Sequence, residues 1–396
     1  EAEGTVVKLG RDYTWTLEER TNDGKTGICI INSTGAYSWY INPGVWSEVI
    51  FKPTTWGAST WEFQKTDVVV EDTPEVEPEE PTLVSAGLYP QPQTVVWGEG
   101  KAFDNTVAYT LAGAADADAD AVAQIQKYLS TENGAVTLTI GERGDAAVAS
   151  YENLIPAKSE GYYLKVSKDG VVIAGNDASG TYYGVQTYLQ VAAEAEVKEV
   201  TITDWPEVAD RGLVEGYYGN PYSDADRKSL LEFFGRTKMN IYIYGPKDDP
   251  YHRDRWREDY PADMAEMIRG LAETAAKHKV RFVWAMHPGG DIQWTDADRA
   301  SSIAKLEKMY ALGVRAFSIF FDDINGSEQS KGDKQAEYLN YINENFINKY
   351  DDVAPLIMCP THYCKSYTGG NDSYIRALGN AIDKESHIMC TGDGVV

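Results

Sequence analysis

Short apolar runs bounded by turn residues recur along the second half of the chain: Gly212 to Glu215, Asn240 to Tyr244, Val280 to Met286, Ala316 to Phe321, Leu356 to Cys359 and His387 to Cys390. Runs of this kind read as strands buried on both faces. Between them, stretches such as Asp263 to Lys277 and Ala336 to Phe346 are helix-like. A strand-then-helix repeat of about 30 to 40 residues is what a (β/α)8 barrel requires over a total of about 250. The pattern therefore predicts an α/β fold with a (β/α)8 TIM barrel over residues 209–396, C-terminally incomplete after about six units. A doubly wound sheet shares the periodicity but calls for a glycine-rich phosphate turn after its first strand. Gly216-Tyr217-Tyr218-Gly219 is too aromatic for that role.

Upstream, residues 84–208 mix strand and helix patterns and predict a small α/β domain. Ala135 to Ile140 reads as a strand, Thr181 to Ala192 as a helix following Gly175-Asn176-Asp177, and the Ala/Asp stretch Ala114 to Ala123 as the solvated start of a helix continuing through Ile125 and Leu129. Residues 71–83 are acidic, proline-bearing and aperiodic, the signature of an extended linker. Residues 1–70 form a β-rich module in which Tyr37 to Ile41 alternates as a strand does. It holds five of the ten tryptophans: Trp15, Trp39, Trp46, Trp56 and Trp61. They are either a platform for sugar rings or the large aromatics that so small a core needs.

At 396 residues the chain is long enough for two or three domains, and its formal charge of −25 argues against partners that demand a positive footprint, namely nucleic acid and anionic membrane surfaces. No apolar run approaches the roughly 20 residues of a membrane span. The start at Glu1-Ala2-Glu3 has neither the basic nor the apolar region of a signal peptide. Cys29, Cys359, Cys364 and Cys390 have no metal-ligand spacing and read as free thiols. Of the histidines only His287, at a strand end, keeps a metal reading open.

Barrel enzymes carry their reactive groups at the C-terminal ends of the strands. The stretch Phe320-Phe321-Asp322-Asp323-Ile324-Asn325-Gly326 puts adjacent carboxylates at that address. Two carboxylates held close resist joint ionisation, so one can donate a proton while the other holds charge. Alternatively the pair merely caps the following turn or helix. The other predicted strand ends bring Gly216, Tyr217 and Tyr218, then Lys247, Asp248 and Asp249, then His287, and finally His362 and Tyr363 to the same mouth. Carboxylates, tyrosines and one lysine without a basic cluster suit neutral, hydroxyl-rich ligands, with sugars the natural candidate.

Five blocks in order resemble glycoside hydrolase family 84, the β-N-acetylglucosaminidases related to O-GlcNAcase and to hyaluronidase-type toxins. They are Arg211 to Gly219, Lys238 to His252, Trp284 to Gly289, Phe321 to Ile324 and Cys359 to Thr361. The likeness reaches back through Tyr89-Pro90-Gln91-Pro92-Gln93 and covers residues 85 to 396. It implies retaining, exo-acting hydrolysis of terminal β-linked GlcNAc in which the substrate's own 2-acetamido oxygen attacks the anomeric carbon and forms an oxazoline, the substrate-assisted exception among glycosidases. By resemblance, Asp322 accepts the acetamido N–H, and Asp323 protonates the leaving oxygen and then activates water. Tyr363 hydrogen-bonds the acetamido group, Tyr218 and Cys359 line its pocket, and Lys247 and the Gly216 backbone contact sugar hydroxyls. The family implies no metal or organic cofactor, GlcNAc-bearing glycans or glycoproteins as partners, and a secreted or periplasmic address. The chain departs from the family at Cys390, where tryptophan is usual, and at His362-Tyr363-Cys364-Lys365, where Glu-Tyr-Asn-Lys is usual. Family members also continue into a segment that grips the sugar, so the sequence reads as a fragment. Two other readings stay open: a catalytically inactive glycan-binding protein, and a metal-dependent hydrolase using His287 with Asp322.

Overall fold

The computed structural model describes residues 87–324, 330–364 and 368–390 in full, together with the backbone of five strands among the first 53 residues. The chain forms two compact units, Glu1–Glu80 and Pro81–Val396. In the first, β1 (Val6–Lys8), β2 (Thr14–Asn22) and β3 (Lys25–Asn32) pair antiparallel, and β4 (Trp39–Pro43) pairs antiparallel with β5 (Val49–Pro53). The tryptophan side chains of this unit and the linker over 71–83 lie outside the described residues.

The second unit begins with a mixed sheet of β6 (Thr94–Asp104), β7 (Tyr109–Ala112), β8 (Val136–Glu142), β9 (Tyr162–Ser167), β10 (Gly170–Gly175) and β11 (Glu196–Asp204), in the order β6-β11-β9-β10-β8-β7. Two helices pack on it. The first, α1, runs Ala119–Tyr128, later than the pattern suggests, because the Asp118 side chain accepts the Ala121 N–H and caps the helix there. The second, α2, runs Ala178–Ala192, with Asp177 as its cap. It is buried on nearly every face, since it also touches the next layer: the Tyr182 hydroxyl meets His278 Nδ1 at 2.9 Å.

That layer is a parallel sheet of β12 (Gly212–Glu215), β13 (Ile241–Tyr244), β14 (Arg281–Met286), β15 (Ala316–Phe320), β16 (Ile357–Cys359) and β17 (His387–Ile388), paired in chain order. The crossovers carry α3 (Asp224–Arg236), α4 (Ala262–Lys277), α5 (Asp296–Ala311), α6 (Gly332–Asn345) and α7 (Ser373–Ala381). Strand order never reverses, so the doubly wound alternative is excluded. The expected barrel, incomplete after about six units, is present among the described residues as a curled parallel half-barrel of six strands, with β17 paired only to β16. Period-two alternation assigns the two faces. Tyr242, Tyr244, Phe282, Trp284, Phe317 and Ile319 join the core beneath the helices, whereas Ile241, Ile243, Val283, Ala285, Phe320 and Ile357 form the inner cluster.

The two layers share buried polar contacts. The Lys238 ammonium donates to Asp204 Oδ2 (2.8 Å) and to the Tyr162 hydroxyl (2.9 Å), and Tyr162 in turn donates to Asp204 (3.0 Å). Arg211 and Asn240 both reach Glu160, at 2.5 and 2.8 Å, and Lys279 bridges Asp118 and Asp120 at 2.7 Å each.

Candidate active site

Each strand of the parallel sheet hands its chain to a loop at the same end, and a buried anchor fixes the first of these loops. Glu215, at the end of β12, accepts from Arg227 at 2.9 and 2.7 Å and from the Tyr242 hydroxyl. A fork-to-fork pair of this kind, with both side chains out of solvent, fixes direction as well as distance. Gly216 follows, where an added Cβ would be in ordinary contact with Val214 at 3.4 Å. Tyr218 is 69% exposed, and its hydroxyl donates to Asp323 Oδ2 at 3.3 Å.

After β13, Gly245 lets the chain pass tight against Phe320, 3.0 Å from where a Cβ would stand. Lys247 then turns its ammonium to Asp322 Oδ2 at 2.9 Å, with Asp323 Oδ2 at 3.7 Å and the Tyr218 ring centroid at 5.4 Å. Asp249, expected at the mouth, goes elsewhere. It is buried beneath the site, accepting from the hydroxyls of Tyr244 (3.0 Å) and Tyr260 (2.7 Å) and from the Tyr251 N–H (2.8 Å), which together replace its hydration.

The carboxylate pair follows β15. The Phe321 N–H still bonds the Cys359 carbonyl at 2.9 Å, so the sheet holds the chain up to the pair itself. Asp322 turns inward, its side chain 15% exposed, while Asp323 is 40% exposed and sits at φ +54°. Burial alone pushes the Asp322 carboxyl up, but the charge and hydrogen bond of Lys247, with the His287 ring beside it, hold it below the usual carboxylate range. Burial also lowers the His287 pKa and keeps that ring neutral near pH 7, so the Lys247 ammonium is the working partner. Repulsion between the two carboxylates was the expected source of their split roles. The structure adds a further difference between them, a shared lysine and unequal burial.

Cys359, at the end of β16, is half-buried near Asp322, and burial followed by that carboxylate's charge raises its thiol pKa. Tyr363 lies half-buried in the loop beyond β16, where the neighbouring His362 ring packs 4.6 Å from Tyr374. Direct contacts thus join Tyr218, Lys247, Asp322 and Asp323, while Gly216, Cys359 and Tyr363 occupy the same end of the sheet. His287 spends Nε2 on the Asp322 carbonyl at 2.7 Å, and no group of three or more potential metal ligands occurs among the described residues. A cleft of about 450 Å³, with Arg253, Asp254 and Asp291 in its walls, opens beside Asp323. The Glu215–Arg227 anchor is absent from the sequence reading, although Arg227 is in helical phase with the buried Leu231 and Phe234 and so marks a charge on an apolar face.

Comparison with known proteins follows the same division of the chain. Residues 211–396 match the family described as beta-N-acetylglucosaminidase, and residues 85–205 match glycosyl hydrolase family 20, domain 2. Protein O-GlcNAcase of Mus musculus is 32% identical over 194 residues, covering 47% of this chain and 21% of its own. A beta-hexosaminidase of Porphyromonas gingivalis is 31% identical over 136 residues, covering 31% and 18%. The solved structure of CpGH84B aligns with a TM-score of 0.72 at 33% identity over 78% of this chain and 57% of its own. That of CpGH84D aligns with a TM-score of 0.68 at 27% identity over 78% and 55%. The chain therefore spans about a fifth of the curated relatives and little more than half of the solved ones. No helix among the described residues is long and apolar enough to cross a membrane.

Proposed function

This chain belongs to glycoside hydrolase family 84, and from that premise we propose that it releases terminal β-linked N-acetylglucosamine from glycans or glycoproteins, with retention, by substrate-assisted catalysis. The observation that carries the reading is the unequal carboxylate pair around Lys247. Asp322 is mostly buried, ionised and held by Lys247 through one carboxylate oxygen, which suits a group that accepts the acetamido N–H and stabilises the positive charge growing on the ring that closes. Asp323 is half-exposed beside an open cleft, which suits a group that gives a proton to the departing oxygen and takes one from the entering water. The attack itself needs no enzyme nucleophile, because the acetamido oxygen supplies it. An ammonium has three donors, so Lys247 can hold Asp322 and still reach a sugar hydroxyl. Tyr218, Cys359, Tyr363 and the Gly216 backbone fill the pocket roles that the family assigns them.

The test is hydrolysis of β-N-acetylglucosaminides with activated aryl and with alkyl or sugar leaving groups. Asp323→Asn is expected to abolish turnover of the poor leaving groups while losing less on the activated ones, which need no protonation. Asp322→Asn is expected to impair both classes, since both depend on acetamido attack. Equal losses for Asp323→Asn on the two classes, or normal rates for Asp322→Asn on either, would overturn these assignments.

A further inference from the structure

A closed ring of hydrogen bonds joins the loops after β13, β14 and β15. The His252 Nε2–H donates to the Pro246 carbonyl (2.9 Å), the His287 N–H to the His252 carbonyl (2.7 Å), and the His287 Nε2–H to the Asp322 carbonyl (2.7 Å). Lys247, next in the chain after Pro246, closes the ring on the Asp322 carboxylate at 2.9 Å. Both rings face carbonyl oxygens, which only accept, so Nε2 carries the proton in each. Both Nδ1 atoms are buried with no partner among the described residues, so a second proton there would be an orphaned donor. Burial accordingly lowers both pKa values, that of His252 to about 3.

The ring ends on a peptide next to a left-handed residue. Asp323 has a left-handed backbone, which aspartate tolerates better than most residues with a Cβ but which still costs on the order of 1 kcal/mol unless the surroundings support it. Its own side chain is poorly held, by a long bond from Tyr218 and a lysine at 3.7 Å. The His287 contact grips the carbonyl of the Asp322–Asp323 peptide. On the other side Gly289 closes against Ile324, whose Cγ2 lies 2.7 Å from where a Cβ would stand.

We infer that His287, backed by His252, is a positioning residue that aims the Asp323 carboxyl by fixing the Asp322–Asp323 peptide in its left-handed turn. The inference rests on the catalytic reading of Asp323. Misaiming the acid by an ångström costs about a hundredfold in rate, and the cost falls on substrates that need protonation. Asp322, held separately by Lys247, keeps its place.

The test compares His287→Leu, which fills the site without a donor, with His287→Gln, whose amide nitrogen falls near the position of Nε2. The leucine variant is expected to lose about a hundredfold in kcat/KM on alkyl or sugar glycosides and only a few-fold on activated aryl ones, and glutamine to recover most of that loss. Equal losses on both classes, or glutamine no better than leucine at matched thermal stability, would refute the inference. Should the leucine variant fail to fold, His287→Asn, whose amide falls short of the carbonyl, takes its place. Asp323→Asn measured alongside separates the two levels: without leaving-group discrimination in that variant, the catalytic reading fails. A crystal structure of His287→Leu decides the geometric claim independently of kinetics. Relaxation of Asp323 out of the left-handed region is expected, and an unchanged turn overturns the claim.

Discussion

Replacing Lys247 by methionine removes the charge that holds Asp322 ionised and leaves an apolar stem of similar length. The pair is 2.9 Å apart, with side-chain exposures of 9% and 15%. At an effective dielectric constant near 20, unit charges at that distance attract by about 6 kcal/mol. Part of this offsets the cost of taking both ions out of water, so breaking the pair from one side costs about 3–5 kcal/mol. The sign with pH follows from the direction of the shift. In the wild type the folded Asp322 carboxyl is lowered, so it adds stability above its unfolded-state pKa of about 4 and loses it as the pH falls through the folded value. In Lys247→Met, burial and the adjacent carboxylate stand uncompensated, the folded carboxyl rises, and the destabilisation is full at neutral pH and fades into acid. Urea unfolding of both proteins from pH 8 down to pH 4 measures this directly, without reference to any enzyme activity. A gap that stays the same across the range would refute the argument. If the chain is the proposed glycosidase, the acid limb of kcat/KM also moves upward, by about one pH unit for every 1.4 kcal/mol of lost attraction.

Lys238→Met leaves Asp204 buried with only neutral partners and is expected to destabilise by about 3–5 kcal/mol. Adding Asp204→Leu should recover much of that loss, and denaturant unfolding of the single and double variants reads the difference. Gly289→Ala puts a methyl 2.7 Å from Ile324 Cγ2, an overpacking that costs about 1–3 kcal/mol. A lower melting temperature, with activity on poor leaving groups falling before that on activated ones, is the expected result; an unchanged melting temperature contradicts it.

Strands and helices were legible where burial and periodicity coincide. The runs predicted from Asn240, Val280 and Leu356 each begin one residue later in the structure, at Ile241, Arg281 and Ile357. For the first there is a local reason: the Asn240 side chain accepts from the Arg211 N–H and donates to Glu160 and to the Ala209 carbonyl. The segment predicted as a helix from Ala336 begins instead at Gly332, because the glycine and aspartate that open it are weak helix formers and its first turn has no apolar periodicity. The carboxylate pair was visible because chain adjacency itself placed it at a strand end. What could not be read were partners brought together by folding. Asp249 sits two residues from Lys247 in one polar turn, and nothing local says that one meets the carboxylates while the other meets two phenols. His252 and His287 act on backbone carbonyls, and a carbonyl has no letter in the sequence.

The polar junction of Lys238, Asp204 and Tyr162 bears on how this chain can be divided. Two family descriptions meet between residues 205 and 211, which invites expression of the half-barrel alone. Lys238 and Asn240 lie on the far side of that cut from Asp204 and Glu160, and α2 would lose the layer that covers Tyr182. The seam between the two matches is thus not a boundary of cooperativity: a fragment starting at residue 211 would carry a buried ammonium without its counter-ion, and any recombination across it should keep Asp204 and Lys238 together.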